Sequence, residues 1–402
     1  MKKKIIAWTL FDFANSSYSA VIAAVIFPVY YATVIVGNTA GLGDLWWGRA
    51  ISLSMFLVAV GSPILGGIAD VSGRRKSFLL ILTLGAITAV LLFTTIRPGM
   101  IVYGFFLIVM ANICVEGGFV FYNSFLPVIV ERKDYGKVSA LGYGVGYAGS
   151  IVALLIAMYL ISKGTISYVW IEVALLFGIF SIPVFLNMPR DAREKSILRS
   201  ALGGMKQTLE TIRHLVTEKN SRLFLLSYFL YTDGVNTVIV FSGIFAVSTL
   251  GFSKIEVITL FLAVQFFALI GSLIISSLTD RLGARRVVQG SLLVWVAVTV
   301  FAYYVQTKPG FYIIASFAGC VLGTIQAASR GFYALFIPAK REAEFFGVYS
   351  TVGKTSSIIG PLIFGILSEH FKSQRPAVLS IAVLFISGLI LLHFVKNKTA
   401  NS

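Results

Sequence analysis

Five ionisable side chains stand where charge is expensive. Asp12, Glu116, Asp233, Arg330 and Lys354 each fall inside an apolar run long enough to cross a bilayer. A charge at the centre of hydrocarbon costs roughly 3 kcal/mol or more, so such groups pair, line a polar cavity or meet a solute. Glu116 is the candidate for a carried proton, with a neutral acid bonded to Asn112 or Tyr147 as the structural alternative. Asp233 and Lys354 sit at similar depth, which suits a buried ion pair or an ammonium offered to a solute carboxylate. Asp12 and Arg330 lie about two turns from the cytoplasmic side and are expected to attract one another across the two halves when the cytoplasmic gate closes, the alternative being that each bonds within its own half. Asn15, Asn123, Asn236 and Gln326 add uncharged hydrogen-bonding groups, and Tyr18, Tyr122, Tyr231 and Tyr333 add amphipathic ones. Together they suit a small polar or zwitterionic solute, with interhelical hydrogen bonding the competing reading of each. Glu172 and Glu256 fall near the ends of their runs and are expected at the interface.

The chain that carries these residues has 402 of them, 57% hydrophobic and 12% charged. That is about half the charge of a soluble domain, too little polar skin for a water-soluble fold of this length. A soluble enzyme, a nucleic-acid-binding module and a disordered hub are thereby excluded. Cys114 and Cys320 both lie in apolar runs, leaving no disulfide framework and no thiolate cage. His214, His370 and His393 fall outside the run interiors, and no metal, cofactor or catalytic set is expected. Gly144-x-Gly146-x-x-Gly149 spells a dinucleotide fingerprint, but no strand precedes it, and close helix packing accounts for it. The start, Met1-Lys2-Lys3-Lys4, imitates a secretory signal. Asp12 and Asn15 interrupt its apolar stretch, which is read as a retained first helix.

Twelve spans are expected, over 6–36, 50–69, 77–96, 100–129, 138–161, 167–187, 223–249, 255–278, 287–305, 309–337, 345–367 and 377–395. With the N-terminus inside, 24 of the 33 Lys and Arg residues face the cytoplasm and seven face out, the other two being Arg330 and Lys354. This bias puts both termini in the cytoplasm and explains the net charge of +16 without nucleic acid. The connection 188–222 carries Leu198, Leu202, Met205, Leu209, Ile212 and Leu215 at helical spacing with basic residues between, a helix resting on the cytoplasmic lipid face.

The sequence also repeats. Phe121-Tyr122-x-x-x-Leu126-Pro127 returns as Phe332-Tyr333-x-x-x-Ile337-Pro338, and Gly136, Ser139, Gly142 and Gly149 return as Gly347, Ser350, Gly353 and Gly360. Asp70-x-x-Gly73 with Arg75 returns as Asp280-x-x-Gly283 with Arg285, and Asp12-x-x-Asn15 as Asp233-x-x-Asn236. Six spans per copy keep both copies in the same orientation. The expected fold is therefore an all-α membrane protein of 12 transmembrane helices in two parallel six-helix pseudo-repeats, the major facilitator arrangement. The domains are 1–187, a linker 188–222, and 223–402.

The loop Gly66-Gly67-Ile68-Ala69-Asp70-Val71-Ser72-Gly73-Arg74-Arg75-Lys76 resembles the signature loop of the major facilitator superfamily, with an echo at Asp280, Gly283 and Arg285. More narrowly, Phe11-Asp12-Phe13-Ala14-Asn15-Ser16-Ser17-Tyr18, Tyr122-Asn123-Ser124-Phe125-Leu126-Pro127, Ser139-Ala140-Leu141-Gly142-Tyr143-Gly144, Tyr231-Thr232-Asp233-Gly234-Val235-Asn236-Thr237 and Phe345-Phe346-Gly347 resemble the Atg22-like, or UMF1, branch. Phe13 stands where that branch usually has tryptophan. The resemblance implies a transporter that rocks between inward-open and outward-open states; a monomeric secondary transporter of a small-molecule solute is expected, surrounded by lipid and multi-pass in the plasma membrane, where compact loops and short tails place it. Its named eukaryotic member implies amino acids as one solute class, and protons are the candidate coupling ion. A lipid flippase or a sensor on the same fold is the alternative. The resemblance gives Gly66, Gly67, Asp70, Gly73, Arg74, Arg75, Asp280, Gly283 and Arg285 a gating role, with Asp70 placed against a helix N-terminus.

Overall fold

The long apolar runs become helices because only a helix satisfies its own backbone in hydrocarbon. The computed structural model describes residues 2–37, 42–192, 203–204, 206, 209–213, 215, 217–338, 340–356, 359–371 and 373–396. Among them, eleven helical segments are long and apolar enough to span. Spans one to six are Lys2–Val36, Trp46–Ser72, Arg75–Thr95, Ile101–Ile129, Arg132–Ser162 and Ile166–Asn187. Spans seven to ten are Lys219–Gly243, Glu256–Ile275, Ala284–Tyr304 and Lys308–Ala334, and span twelve is Gln374–His393.

Span eleven departs from expectation. In place of one helix over 345–367 the described residues give two, Glu342–Thr355 and Ile359–His370, with a turn at Ser356 and 357–358 outside the described residues. Pro361 supplies the reason: lacking an N–H, it disrupts a helix interior but fits a first turn. Span one is also irregular. Its α-helix Lys2–Tyr18 passes into π-helical turns at Ser19–Val25 and Tyr31–Val36, separated by Phe27–Tyr30.

Two compact units emerge, and they cut across the sequence halves. The first holds 1–129, 145–211 and 338–351; the second holds 130–144, 212–337 and 352–402. The beginning of span five thus groups with the later spans, and the beginning of span eleven with the earlier ones. In the first unit Trp8 stacks on Tyr122 with centroids 4.7 Å apart, and Phe27 stacks on Phe93 at 4.2 Å. In the second, Trp295 stacks on Phe385 at 5.3 Å. Large apolar side chains such as Phe106, Ile81 and Leu186 remain exposed along the helices, an apolar coat that suits lipid.

In the connection after span six, Leu198, Leu202 and Met205 lie outside the described residues. Of the remaining expected stripe, Leu215 is buried while Leu209 and Ile212 are exposed.

Candidate functional site

The turn between spans two and three is made by Gly73, whose φ of 64° suits glycine. It brings Arg75 back to Asp70. Arg75 Nε donates to Asp70 Oδ1 at 2.5 Å, and Arg75 Nη2 bonds Glu342 Oε2. Asp70 Oδ2 accepts the Glu344 N–H at 2.9 Å. A fully buried carboxylate therefore binds a guanidinium and the first turn of the helix at Glu342, where the helix dipole favours an anion. Arg341 Nε donates to Glu344 at 3.0 Å.

Backbone contact extends this clamp along span two. A Cβ on Gly66 would lie 2.5 Å from the Ala343 carbonyl oxygen, and one on Gly347 would lie 2.7 Å from that of Ser62. One turn further, Thr351 Oγ1 donates to the Ala59 carbonyl at 2.6 Å. Span three is tied in by Asp191, which accepts the N–H groups of Lys76 and Ser77 at 2.9 and 3.0 Å and the Ser77 hydroxyl at 2.5 Å.

The second unit contains the counterpart. Arg330, 2% exposed, donates from Nε to Ser139 Oγ and from Nη2 to the Ser139 carbonyl, both at 2.8 Å. Its guanidinium carbon lies 4.2 Å from the centroid of Tyr143. Ser139 Oγ in turn donates to the Ala327 carbonyl at 2.8 Å. Since Ser139 belongs to span five, this contact explains why 130–144 groups with the later spans. The expected partner Asp12 lies in the first unit and Arg330 in the second.

Asp233 overturns the expected Lys354 pair. Both its oxygens accept the Gly360 N–H, at 2.9 and 2.8 Å, just past the break in span eleven, and Lys354 is not among its partners. The freed first turn of Ile359–His370 supplies a donor that an unbroken helix would consume. The repeat mate of this contact lies in the first unit. Gly149 packs on the Phe13 carbonyl, next to Asp12, but span five runs unbroken there.

Tyr122, expected to line a cavity, is in the core: its hydroxyl donates to the Trp8 carbonyl and its own carbonyl accepts the Trp8 indole N–H, both at 3.0 Å. Asn112 does not bond Glu116; its Oδ1 accepts the Tyr18 hydroxyl at 2.6 Å and its Nδ2 has no partner. Asn15 is buried, while Glu116, Asn123, Asn236, Gln326 and Lys354 are partly buried along their spans. Glu172, expected at the interface, is 9% exposed with neither oxygen hydrogen-bonded. Glu256 is part-exposed and pairs with Lys308 at 2.9 Å. At the repeat of the signature loop, Gly283 turns with φ 81°, Arg285 donates to the His393 carbonyl, and the Asp280 side chain lies outside the described residues. Gly67 lies within the helix of span two, and Arg74 follows the turn.

Four residues that hold these contacts escaped the sequence reading: Ser139, Asp191, Glu342 and Glu344. The acids carried a signal, because only 17 Asp and Glu exist and two of them open span eleven directly after Lys340-Arg341. Ser139 carried none beyond its place in the repeat and in a stretch that resembles the Atg22-like branch.

A family described as "Vacuole effluxer Atg22 like" matches residues 49–402. The chain belongs to the Atg22-like family. A relative in Bacillus subtilis, an uncharacterized MFS-type transporter named YxiO, is 30% identical over 409 residues, 98% of this chain and 95% of the relative. Autophagy-related protein 22 of Saccharomyces cerevisiae is 23% identical over 426 residues, 92% and 76% of the two chains. Among solved structures, the human organic anion transporter MFSD10 superposes with a TM-score of 0.80 at 14% identity, covering 97% and 99% of the two chains. The proton:xylose symporter XylE gives 0.78 at 12% identity, covering 100% and 97%. The fold of this Atg22-like chain is that of the major facilitator transporters.

Proposed function

We propose that this Atg22-like protein is a secondary transporter that moves a small polar or zwitterionic solute across the cell membrane by alternating access, with both termini in the cytoplasm. The observation that carries the reading is the Asp70–Arg75–Glu342 clamp. It joins a loop of the early spans to the start of span eleven through charges and one backbone N–H, contacts that re-form readily once parted. The Arg330–Ser139 contact serves span five in the same way. By the lysine and arginine bias both clamps lie on the cytoplasmic side, so both must part for the solute to exit there. Protons are the candidate coupling ion, with Glu116 as carrier, and amino acids are one candidate solute class. In this reading the protein is not an enzyme and acts as a monomer.

Purified protein in liposomes tests it. Labelled amino acids, monosaccharides and lipids are offered under a pH gradient, and Asp70→Asn is run alongside. Solute uptake that falls at least tenfold in the variant supports transport through this clamp. Movement of labelled lipid alone would replace the reading with a flippase, and binding without any flux would replace it with a sensor.

A further inference from the structure

Spans one and four face each other through one stripe of side chains. Trp8, Phe11, Asn15 and Tyr18 follow the three- and four-residue spacing of a single helix face. Three of the four touch span four: Trp8 and Phe11 stack on Tyr122 at 4.7 and 4.9 Å, and Tyr18 bonds Asn112 at 2.6 Å. The pairs Trp8–Tyr122 and Tyr18–Asn112 fix an antiparallel register. Counting three residues back from Tyr18 therefore brings Asn15 level with Val115, beside Glu116.

At this level the structure leaves polar groups unused. Asn15 is 1% exposed, and neither its Nδ2 nor its Oδ1 has a hydrogen-bond partner. Asn112 is 2% exposed, and its Nδ2 is also without a partner. A buried amide left unpaired destabilises the protein that carries it, so these two, about one helical turn apart in this register, are poor interhelical glue. They are what a solute would complete.

We infer that Asn15 and Asn112 form a binding subsite in the first unit for an uncharged, hydroxyl-bearing solute of the monosaccharide or polyol class. The inference rests on the transport reading and narrows its substrate. A hydroxyl gives and takes a hydrogen bond at one atom, matching two amide N–H groups and a free amide oxygen. Neither 5–36 of span one nor 101–129 of span four contains a Lys or Arg. A carboxylate would therefore find no counter-ion on these two spans.

The test is a thermal-shift titration of the full chain in detergent with xylose, glucose, inositol and glycerol, and separately with alanine, serine and leucine. Asn15→Leu and the double variant Tyr18→Phe/Asn112→Leu are measured beside the parent protein; the double change removes the bonded pair together. A neutral hydroxylated probe should raise the parent Tm, and both variants should lose that response by at least tenfold in concentration. Without ligand, Asn15→Leu should have a Tm equal to or above the parent, since it removes an unpaired amide. The subsite is overturned if no hydroxylated probe shifts the parent, if the shift survives in both variants, or if Asn15→Leu alone lowers the unliganded Tm. Liposome uptake separates the two claims. Binding of a hydroxylated probe with no flux of any solute overturns transport and leaves the subsite standing. Amino-acid uptake with no hydroxylated probe bound does the reverse.

Discussion

Asp70 concentrates three roles in one carboxylate: it orients Arg75, accepts the Glu344 N–H and, through Arg75, reaches Glu342. Hydrogen bonds to charged groups contribute about 1.5–3 kcal/mol each. Asp70→Asn should therefore weaken the clamp by about that much and raise the solvent accessibility of a cysteine introduced at Ala343, read by the labelling rate. An unchanged rate would show the carboxylate to be idle. Arg75→Lys should also fail, because an ammonium cannot reproduce the guanidinium fork that serves two carboxylates. Asp191 is different, since it caps span three from the connection. Asp191→Ala should cost about 1 kcal/mol of stability, seen as a lower Tm, while uptake per folded molecule stays near the parent level.

At the scale of elements, the contrast between spans five and eleven is informative. They descend from the same repeat, yet span five runs unbroken past Gly149 while span eleven breaks before Gly360. Pro361 and the Asp233 carboxylate act together: one ends the helical hydrogen-bond ladder, the other takes the N–H that it frees. Asp233→Leu should expose that amide, so hydrogen–deuterium exchange in a peptide covering 359–370 should accelerate at least tenfold while exchange in span five stays unchanged. Equal protection in both proteins would mean that the break does not depend on Asp233. The glycine contact between spans two and eleven makes a steric prediction. Gly347→Val would place its Cβ 2.7 Å from the Ser62 carbonyl oxygen, so the spans must separate. Uptake should fall at least tenfold with yield and Tm maintained, and normal uptake would show that this approach is not needed.

For the whole molecule, length, apolar periodicity and the repeat made the fold legible, because in hydrocarbon a long apolar run has few alternatives to a helix. The signature-loop residues were legible as a group, since Gly73 and Arg75 stand at fixed spacing from Asp70. Their partners were not. Glu342 and Glu344 lie some 270 residues away, and no local pattern carries a contact over that distance. Depth along a helix set Asp233 beside Lys354 but could not foresee the break that gives Asp233 a backbone donor. Glu172 looked interfacial by its distance from a run end, a measure blind to neighbouring helices. Residue types likewise gave Tyr122 a cavity, whereas its stacking on Trp8 puts it in the core. The central claim is that span two and the start of span eleven must part in each cycle. The most direct measurement uses a protein in which Cys114 and Cys320 are replaced and cysteines stand at Ala59 and Thr351, whose atoms already meet at 2.6 Å. Oxidation in liposomes should stop uptake almost completely, and reduction should restore it. Undiminished uptake by the fully cross-linked protein would contradict the account.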